Sequence, residues 1–213
     1  ELSATGYPDV DVVLTTKELA KMIKQAGIDF VKLADEDFDP TLGDSTGAGV
    51  IFGATGGVME AALRTVSEIV TGKPLDNLEI HAVRGLEGVK EVEVPLGDIT
   101  VKAAVAHGTA NAKALLEKVK SGEKEYHFIE VMGCPGGCVT GGGQPIVTAQ
   151  VQMEINVREA RAAAIYDEDR SLPVRKSHEN PSVKKVYEEY LGEPNSHKAH
   201  ELLHTHYTPR KKF

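Results

Sequence analysis

The chain has 213 residues, of which 41% are hydrophobic and 26% are charged, and it carries a net charge of −8 at pH 7. This length and composition indicate a globular protein that can bury one good core, and they exclude a fibrous class. The acidic balance disfavours nucleic acid as a partner, because phosphate binding requires a concentrated positive surface.

The apolar runs of the sequence are short. Val10–Leu14 and Ala103–Ala106 are among the longest, far below the roughly 20 residues that cross a bilayer, so we expect no membrane span. Residues 1–9 contain no initiator Met, no basic segment and no apolar segment of a secretory signal. We therefore expect a cytoplasmic protein cut from a longer polypeptide.

The first third of the chain predicts helices separated by loops. A short apolar run and the spacing of apolar residues, together with turn-forming Gly, Asp and Pro, define these elements. In order they are a strand over Asp11–Leu14, a helix over Thr16–Gln25 with Gly27 at its C-cap, an irregular loop over Asp35–Gly49, and a helix over Gly57–Val70 closed by Gly72.

The middle of the chain predicts most of the strands. Runs rich in Val and Ile alternate with turn residues, and one helical pattern separates the last two strands. The predicted elements are strands over Leu78–Val83, Val89–Val94 and Thr100–His107, a helix over Asn111–Lys120, and a strand over Tyr126–Met132. Strands with flanking helices predict an α/β fold class.

Beyond residue 156 the sequence predicts helices only. They span Val157–Asp167, a segment that begins at the Asn180 cap and stops before Gly192, and Lys198–His204. Such short, charged helices cannot form a core of their own. We therefore divide the chain into an α/β domain, 1–156, and a helical tail, 157–213, which we expect to wrap the α/β part or another chain.

Both cysteines of the chain lie in one glycine-rich segment, Glu130–Pro145, which reads Glu-Val-Met-Gly-Cys-Pro-Gly-Gly-Cys-Val-Thr-Gly-Gly-Gly-Gln-Pro. Thiolates at Cys134 and Cys138 can reach one metal centre, and the glycines let backbone pass close to a bulky inorganic group. A disulfide would close a small strained ring, and a thioredoxin-like pair requires C-x-x-C. Half of a zinc site remains open on spacing alone.

This segment resembles the third signature of the iron-only (FeFe) hydrogenases. Residues 49–65, Gly-Val-Ile-Phe-Gly-Ala-Thr-Gly-Gly-Val-Met-Glu-Ala-Ala-Leu-Arg-Thr, resemble the stretch of that family that passes over the catalytic cluster. Residues 180–204 resemble its helical small-subunit segment. The resemblance covers essentially the whole chain, and it implies that 1–156 is the C-terminal half of the hydrogenase catalytic domain.

The resemblance also implies a cofactor and roles for individual residues. In the family a 4Fe-4S cube joins a di-iron subsite with CO, cyanide and dithiolate ligands, and the two together form the H-cluster. Cys134 then corresponds to a cube ligand, Cys138 to the ligand that also bridges to the di-iron subsite, and Met132 to a residue packed beside it. Phe52 and Gly53 correspond to positions that line the pocket above the CO and cyanide ligands. Taken alone, Met132 and Phe52 are more often ordinary core residues.

The chain departs from the family pattern in what it lacks. A cube needs about four protein ligands, and the sequence offers two cysteines. The family's other cysteines, its proton-delivering groups and its cyanide-binding lysine lie in upstream segments that are not found here. We therefore expect the upstream half of the catalytic domain as a partner, in the same longer chain or in a separate one.

Two other patterns suggest weaker sites. His200 and His204 have the i, i+4 spacing of metal ligands, with His197 and His206 nearby, so a tail metal site is a minor alternative. The glycines of residues 53–57 resemble a phosphate-binding loop, although no Lys-Ser/Thr pair follows them.

Two function classes stay open. The first is a hydrogenase that interconverts H2 with protons and electrons and passes the electrons to ferredoxin or to an NAD-linked flavin subunit. The second is a non-catalytic relative, either an H2 sensor or an iron-sulfur assembly protein. The intact Gly-Gly-Gly-Gln-Pro passage and the methionine before Cys134 favour the enzyme.

Overall fold

The computed structural model describes residues 6–8, 10–37, 39, 43–204 and 211. These residues fall into two compact units, one drawn from residues 1–43 and 181–213 and the other formed by Asp44–Asn180. None of the helices in the described ranges is both long and apolar enough to cross a membrane. The helices are α1 (Thr16–Gln25), α2 (Gly47–Val50), α3 (Gly57–Thr71), α4 (Thr109–Lys120), α5 (Ala149–Glu154), α6 (Val157–Ser171), α7 (Pro181–Val186) and α8 (His197–Leu203).

A three-stranded sheet organises the larger unit. β1 (Val89–Leu96) and β2 (Ile99–His107) form an antiparallel hairpin around a two-residue turn that contains Gly97 with positive φ. β3 (Phe128–Met132) lies parallel to β2 on its other side, and α4 makes the crossover between them. The sheet order is therefore β1-β2-β3, and its central strand ends beside the end of β3.

The two faces of β2 are buried against different helices. Ala103 and Val105 pack with Met59 and Leu63 of α3, whereas the alternate residues of the strand pack with Leu115 of α4. A strand covered on both faces reads as a continuous apolar run. This arrangement confirms the predicted α/β class and fixes α3 against the central strand, whose last residue pairs with the last residue of β3.

Helix α6 forms a second, smaller core next to α2 and α3. Its Tyr166 packs on Ile51 and Ala54, and Ile165 adds to the same cluster. The guanidinium of Arg84 lies 4.0 Å above the Tyr166 ring, a favourable cation-π distance. The first helix of the predicted tail thus belongs to the larger unit.

A buried charged network ties α3 to α6. It consists of Glu60, Arg64, Arg84, Asp169 and Arg175. The side chains of Glu60, Arg64 and Asp169 are fully buried. Arg64 donates to both carboxylates, at 2.7 Å to Glu60 and 2.8 Å to Asp169. Burial opposes ionisation of Asp169, but hydrogen bonds from Arg64 and Arg175 outweigh it and lower its pKa to about 2.

Most predicted elements are confirmed with small boundary shifts. The hairpin strands, β3, α1, α3, α4, α6 and α8 all form, and Gly72 takes the left-handed conformation that ends α3. Gly27, φ +71°, follows the C-cap Ala26 instead of being the cap itself. The Asn180 segment begins a helix at Pro181, and a wide π-helical turn over Tyr187–Leu191 precedes Gly192.

Two predicted strands are wrong. Residues 11–14 form no strand and pair with no described strand, and Val12 and Val13 are largely exposed. Leu78–Val83 ends instead in a single 3-10 turn over His81–Val83. There the Leu78 carbonyl accepts from the Arg64 side chain, so the backbone of this segment serves the charged network.

Two short helices, α2 and α5, were not predicted. Thr46 caps α2 inside the predicted loop, whose residues 38 and 40–42 lie outside the described part. Thr148 caps α5 by accepting from Val151. Helices this short depend on a cap and on tertiary contacts, so sequence periodicity carries little signal for them.

Candidate functional site

The cysteine loop (residues 133–145) begins where β3 ends. Gly136 and Gly137 have φ of +88° and +97°, a conformation that residues with a Cβ rarely adopt. The Gly137 amide donates to the Cys134 carbonyl at 3.0 Å, and the Thr140 hydroxyl contacts the Gly137 carbonyl at 3.0 Å. This turn leaves both thiols, those of Cys134 and Cys138, free and exposed.

The loop packs directly on the segment that precedes α3. A Cβ on Gly137 would lie 2.6 Å from the Gly53 carbonyl oxygen and 2.7 Å from the Thr55 amide nitrogen. The Thr55 amide in turn donates to the Gly136 carbonyl at 3.2 Å. The structure therefore brings together the two segments that the sequence singled out, because glycine at position 137 permits backbone-to-backbone contact.

The remaining candidate residues lie at the margins of this contact. Phe52, next to Gly53, is 45% exposed, and Met132 is half-buried at the end of β3. The Met132 carbonyl accepts from the Gly108 amide at 2.8 Å. Among the described residues, neither Phe52 nor Met132 belongs to the buried hydrophobic clusters of this unit.

Side chains that sequence reasoning missed hold the far end of the loop. Arg161 of α6 donates to the carbonyls of Val139 and Pro145, at 3.2 and 2.6 Å. The Gln144 amide donates to the Cys138 carbonyl at 3.3 Å. Arg161 lies in the first turns of α6, close in sequence to the loop, but no sequence motif identifies the carbonyls of Val139 and Pro145 as its partners.

Glu130 caps α3 from the neighbouring strand. It is buried, and its two carboxylate oxygens accept from the amides of Gly56 at 2.6 Å and Met59 at 2.7 Å. Burial lowers the pKa of nearby Lys90, with Glu130 opposing that shift. Because the Glu130 carboxylate already accepts from backbone amides at the N-terminus of α3, these amides are not available to bind a phosphate.

A groove of about 660 Å³ opens beside the cysteine loop. Its walls come from the glycine end of the loop, from α5 and from the start of α6. Ile146 and Met153, both more than four-fifths exposed, line it together with Arg158. The groove thus presents exposed apolar side chains to solvent next to the cysteine loop.

Other clusters of potential metal ligands lie away from the loop. Glu68, His178 and Glu179 place their ligand atoms within 4.8 Å of one another, but the Lys176 ammonium already bonds to both carboxylates, at 2.8 and 2.6 Å. That pairing, with further hydrogen bonds, lowers the pKa of Glu68 to about 2. In the tail, His200 and His204 stack at 4.4 Å, and His206 lies outside the described residues.

The donor set of the loop fits an iron-sulfur cluster. Two free thiols are the soft ligands that such clusters require, and a Cβ on Gly141 would come within 3.7 Å of the Cys134 sulfur. Glycines at 133 and 142 have open space on their Cβ side. The buried Thr55 hydroxyl beside the loop has no hydrogen-bond partner within the described part of the chain. The sequence contains two cysteines, whereas a cube needs about four protein ligands.

Comparison with known families settles the ancestry. Residues 1–142 match the model of the iron only hydrogenase large subunit, C-terminal domain. The chain belongs to the iron-only hydrogenase family. Residues 155–210 match the iron hydrogenase small subunit.

Curated relatives of this chain include hydrogenases and assembly proteins. It is 51% identical over 213 residues to the NADP-reducing hydrogenase subunit HndD of Solidesulfovibrio fructosivorans, covering all of this chain and 36% of the relative. It is 46% identical over 207 residues to iron hydrogenase 1 of Clostridium pasteurianum, covering 97% and 36%. A probable cytosolic Fe-S cluster assembly factor of Culex quinquefasciatus is 31% identical over 216 residues, covering 96% and 43%. The chain thus spans about a third of the length of these hydrogenases.

Solved structures show the same fold. The FeFe-hydrogenase HydA in a study of stepwise H-cluster assembly superposes with a TM-score of 0.75 at 42% identity, covering 97% of this chain and 58% of that one. HydA1 from Chlamydomonas reinhardtii superposes with a TM-score of 0.72 at 43% identity, covering 93% and 55%. The α/β architecture of the hydrogenase C-terminal domain is therefore present in this chain.

Proposed function

We propose that this chain is the part of an FeFe hydrogenase catalytic subunit that supplies two ligands to the H-cluster, for reversible oxidation of H2 to protons and electrons. The observation that carries the proposal is the cysteine loop, with free, exposed thiols at Cys134 and Cys138 packed against Gly53 and Thr55. The 51% and 46% identities to hydrogenases support the enzyme over the assembly class.

Each residue of the site has a proposed role. The Cys134 thiolate holds the 4Fe-4S cube, and the Cys138 thiolate holds the cube and its link to the di-iron subsite with its CO, cyanide and dithiolate ligands. When bound, the cluster supplies the hydrogen chemistry and the electron path. Met132 packs beside the di-iron subsite, and Phe52 and Gly53 line the pocket above it, a placement that the close packing of Gly53 against Gly137 of the loop supports.

The other half of the site belongs to a partner in this proposal. The upstream half of the catalytic domain supplies the remaining cube ligands and the proton route, and the groove beside the loop is part of the surface that it covers. Ferredoxin or an NAD-linked flavin subunit takes the electrons. A relative named as an NADP-reducing hydrogenase subunit makes a nicotinamide-linked route a reasonable choice.

We also propose the division into 1–156 and 157–213, which the separate family matches at 1–142 and 155–210 support. The cytoplasmic location stays a prediction. A relative from Nitratidesulfovibrio vulgaris, 56% identical over 147 residues and covering 69% of this chain and 35% of the relative, is a periplasmic Fe hydrogenase large subunit. Fractionation of the source cells distinguishes the two compartments.

A second candidate is an iron-sulfur assembly protein or H2 sensor, and the similarity to a cytosolic Fe-S cluster assembly factor favours the assembly class. Infrared spectra and H2 turnover of the complete subunit, matured with its cofactor, separate the classes. An enzyme shows CO and cyanide bands with rapid turnover. A sensor shows the bands with feeble turnover, and an assembly protein shows neither; both results contradict the proposal.

The two cysteine roles are separable in the same preparation. Cys138→Ser places a hard oxygen at the link to soft low-valent iron, so the CO and cyanide bands and H2 turnover should be lost. Cys134→Ser leaves that link intact, so part of both should remain. Loss of the bands in Cys134→Ser with retention in Cys138→Ser would reverse the assignment.

A further inference from the structure

His107 is a buried imidazole at the end of β2 whose contacts reach the cysteine loop. Its Nδ1 lies 3.2 Å from the amide nitrogen of Gly136, and its Nε2 lies 3.2 and 3.1 Å from the carbonyl oxygens of Leu86 and Glu87. A backbone amide only donates and a carbonyl only accepts. The ring is therefore the neutral tautomer with its proton on Nε2.

The Gly136 peptide is held on both sides by this arrangement. The Gly136 N–H donates to Nδ1 of His107, and the Gly136 carbonyl accepts from the Thr55 amide at 3.2 Å. Gly136 lies midway between Cys134 and Cys138, so whatever fixes this peptide also fixes the course of the chain between the two thiols.

The histidine is itself rigidly placed. Its backbone amide donates to the Gly88 carbonyl at 3.0 Å, its carbonyl accepts from the Asn111 side chain at 2.8 Å, and it pairs in register with Met132. The imidazole therefore links the cysteine loop to the end of the central strand through one hydrogen bond. No other side-chain hydrogen bond to the Gly136 amide occurs in the described ranges.

We propose that His107 is a positioning residue for the cube, acting by binding the Gly136 amide through Nδ1. This inference rests on the proposed function, because it assigns Cys134 and Cys138 to the cube. Two effects follow from the contact. It sets the separation of the two thiols, and it withholds one N–H donor from the cluster sulfurs, where such donors tune the reduction potential.

A pair of amide substitutions separates the two sides of the ring. The Asn side chain can place its oxygen near the position of Nδ1, so His107→Asn keeps an acceptor for Gly136. The Gln side chain can place its amide nitrogen near the position of Nε2, so His107→Gln keeps a donor for Leu86 and Glu87 but loses the acceptor. A purely structural role predicts similar behaviour of the two variants.

The experiment uses the complete subunit, with and without its iron. In the iron-free protein, hydrogen exchange of residues 134–140 should be about fivefold faster in His107→Gln than in wild type, the size expected for one hydrogen bond, and nearly unchanged in His107→Asn. In the cube-loaded protein, an EPR-monitored redox titration should show a higher potential in His107→Gln, because the freed amide can turn to the cluster. Melting temperatures of all three proteins control for folding.

The outcomes separate this inference from the proposal beneath it. Equal exchange rates in the two variants, or a larger effect in His107→Asn, overturn the role of the Gly136 contact. Exchange that differs as expected, with equal cube potentials in all three proteins, overturns the tuning effect. A wild-type subunit that binds no four-iron cube overturns the proposed function, and with it the positioning role toward the cube, even where loop exchange still separates the variants.

Discussion

The charged network and the cysteine loop lie in the same unit, but they differ in burial and in pairing: the charged groups of the network are buried and paired, whereas the thiols of the loop are exposed and free. In the network, Glu60, Arg64 and Asp169 are fully buried, and each finds its partners within the chain. In the loop, the thiols of Cys134 and Cys138 are exposed and free, and the hydrogen bonds around them hold the backbone of the loop. The buried charges are therefore paired within the chain, while the two thiols remain available to bind a ligand.

This difference assigns stability and function to separate residues. Breaking a buried ion pair leaves an uncompensated charge and costs about 3–5 kcal/mol, so the network fixes α3 against α6. Helix α6 then carries Arg161, which holds the far end of the loop. Substitutions in the network should thus act first on folding, and substitutions in the loop should act first on the cluster.

The largest expected effect is on the network. Arg64→Ala removes the buried cation that Glu60 and Asp169 share and leaves each carboxylate with one arginine partner, Arg84 and Arg175 respectively, so unfolding of the complete subunit in guanidinium chloride should show a loss of about 3–5 kcal/mol. Lys113→Ala is the control, because Lys113 pairs with Glu117 at the exposed surface of α4; it should cost less than about 1 kcal/mol. Equal losses in the two variants would show that the network does not carry the framework.

The second effect is on the loop. Gly137→Ala forces a Cβ into the Gly53 carbonyl and requires a positive φ, which together should cost about 2–3 kcal/mol. Because the clash lies between the two thiols, bound iron should fall more than this cost alone implies. Gly133→Ala meets nothing within 4 Å and should keep its iron. An iron content that stays normal in Gly137→Ala contradicts the close packing of the loop.

The smallest effect concerns acid. The pKa of Asp169 is 3.8 for the free group and about 2 in the fold, so its contribution to stability is present above pH 3.8 and is lost as pH falls through 2. The loss should be about 2 kcal/mol, measured as the unfolding free energy of the iron-free subunit from pH 5 to 2. Asp169→Asn should flatten this part of the profile. Parallel profiles for variant and wild type would remove Asp169 as the cause.

Local patterns in the sequence predicted much of the fold. The Val-rich runs of β1 and β2 and the apolar spacing of α3 gave correct elements, because each buries a face that the pattern encodes. Leu78–Val83 has a similar apolar content, but the Leu78 carbonyl binds Arg64 instead of a neighbouring strand. A tertiary contact of this kind leaves no periodic signal.

The candidate site was only partly predictable for the same reason. Cys134 and Cys138 stand out because their motif is contiguous, and the structure places the Phe52–Gly53 segment against their loop. The contacts of Glu130, His107 and Arg161 with the site join residues that are 16 to 74 positions apart. Only the i, i+4 spacing of Glu60 and Arg64 gave a local hint of the charged network.

The most direct test of the account asks whether the cube is shared with an upstream half. Iron and sulfide content and the EPR spectrum should be measured for the 213-residue chain alone and for the chain co-expressed with the upstream half of the catalytic domain. Two thiolates cannot complete a four-ligand site, so the chain alone should hold no stable 4Fe-4S cube and co-expression should restore it. A stable four-iron cluster on the isolated chain would contradict the account.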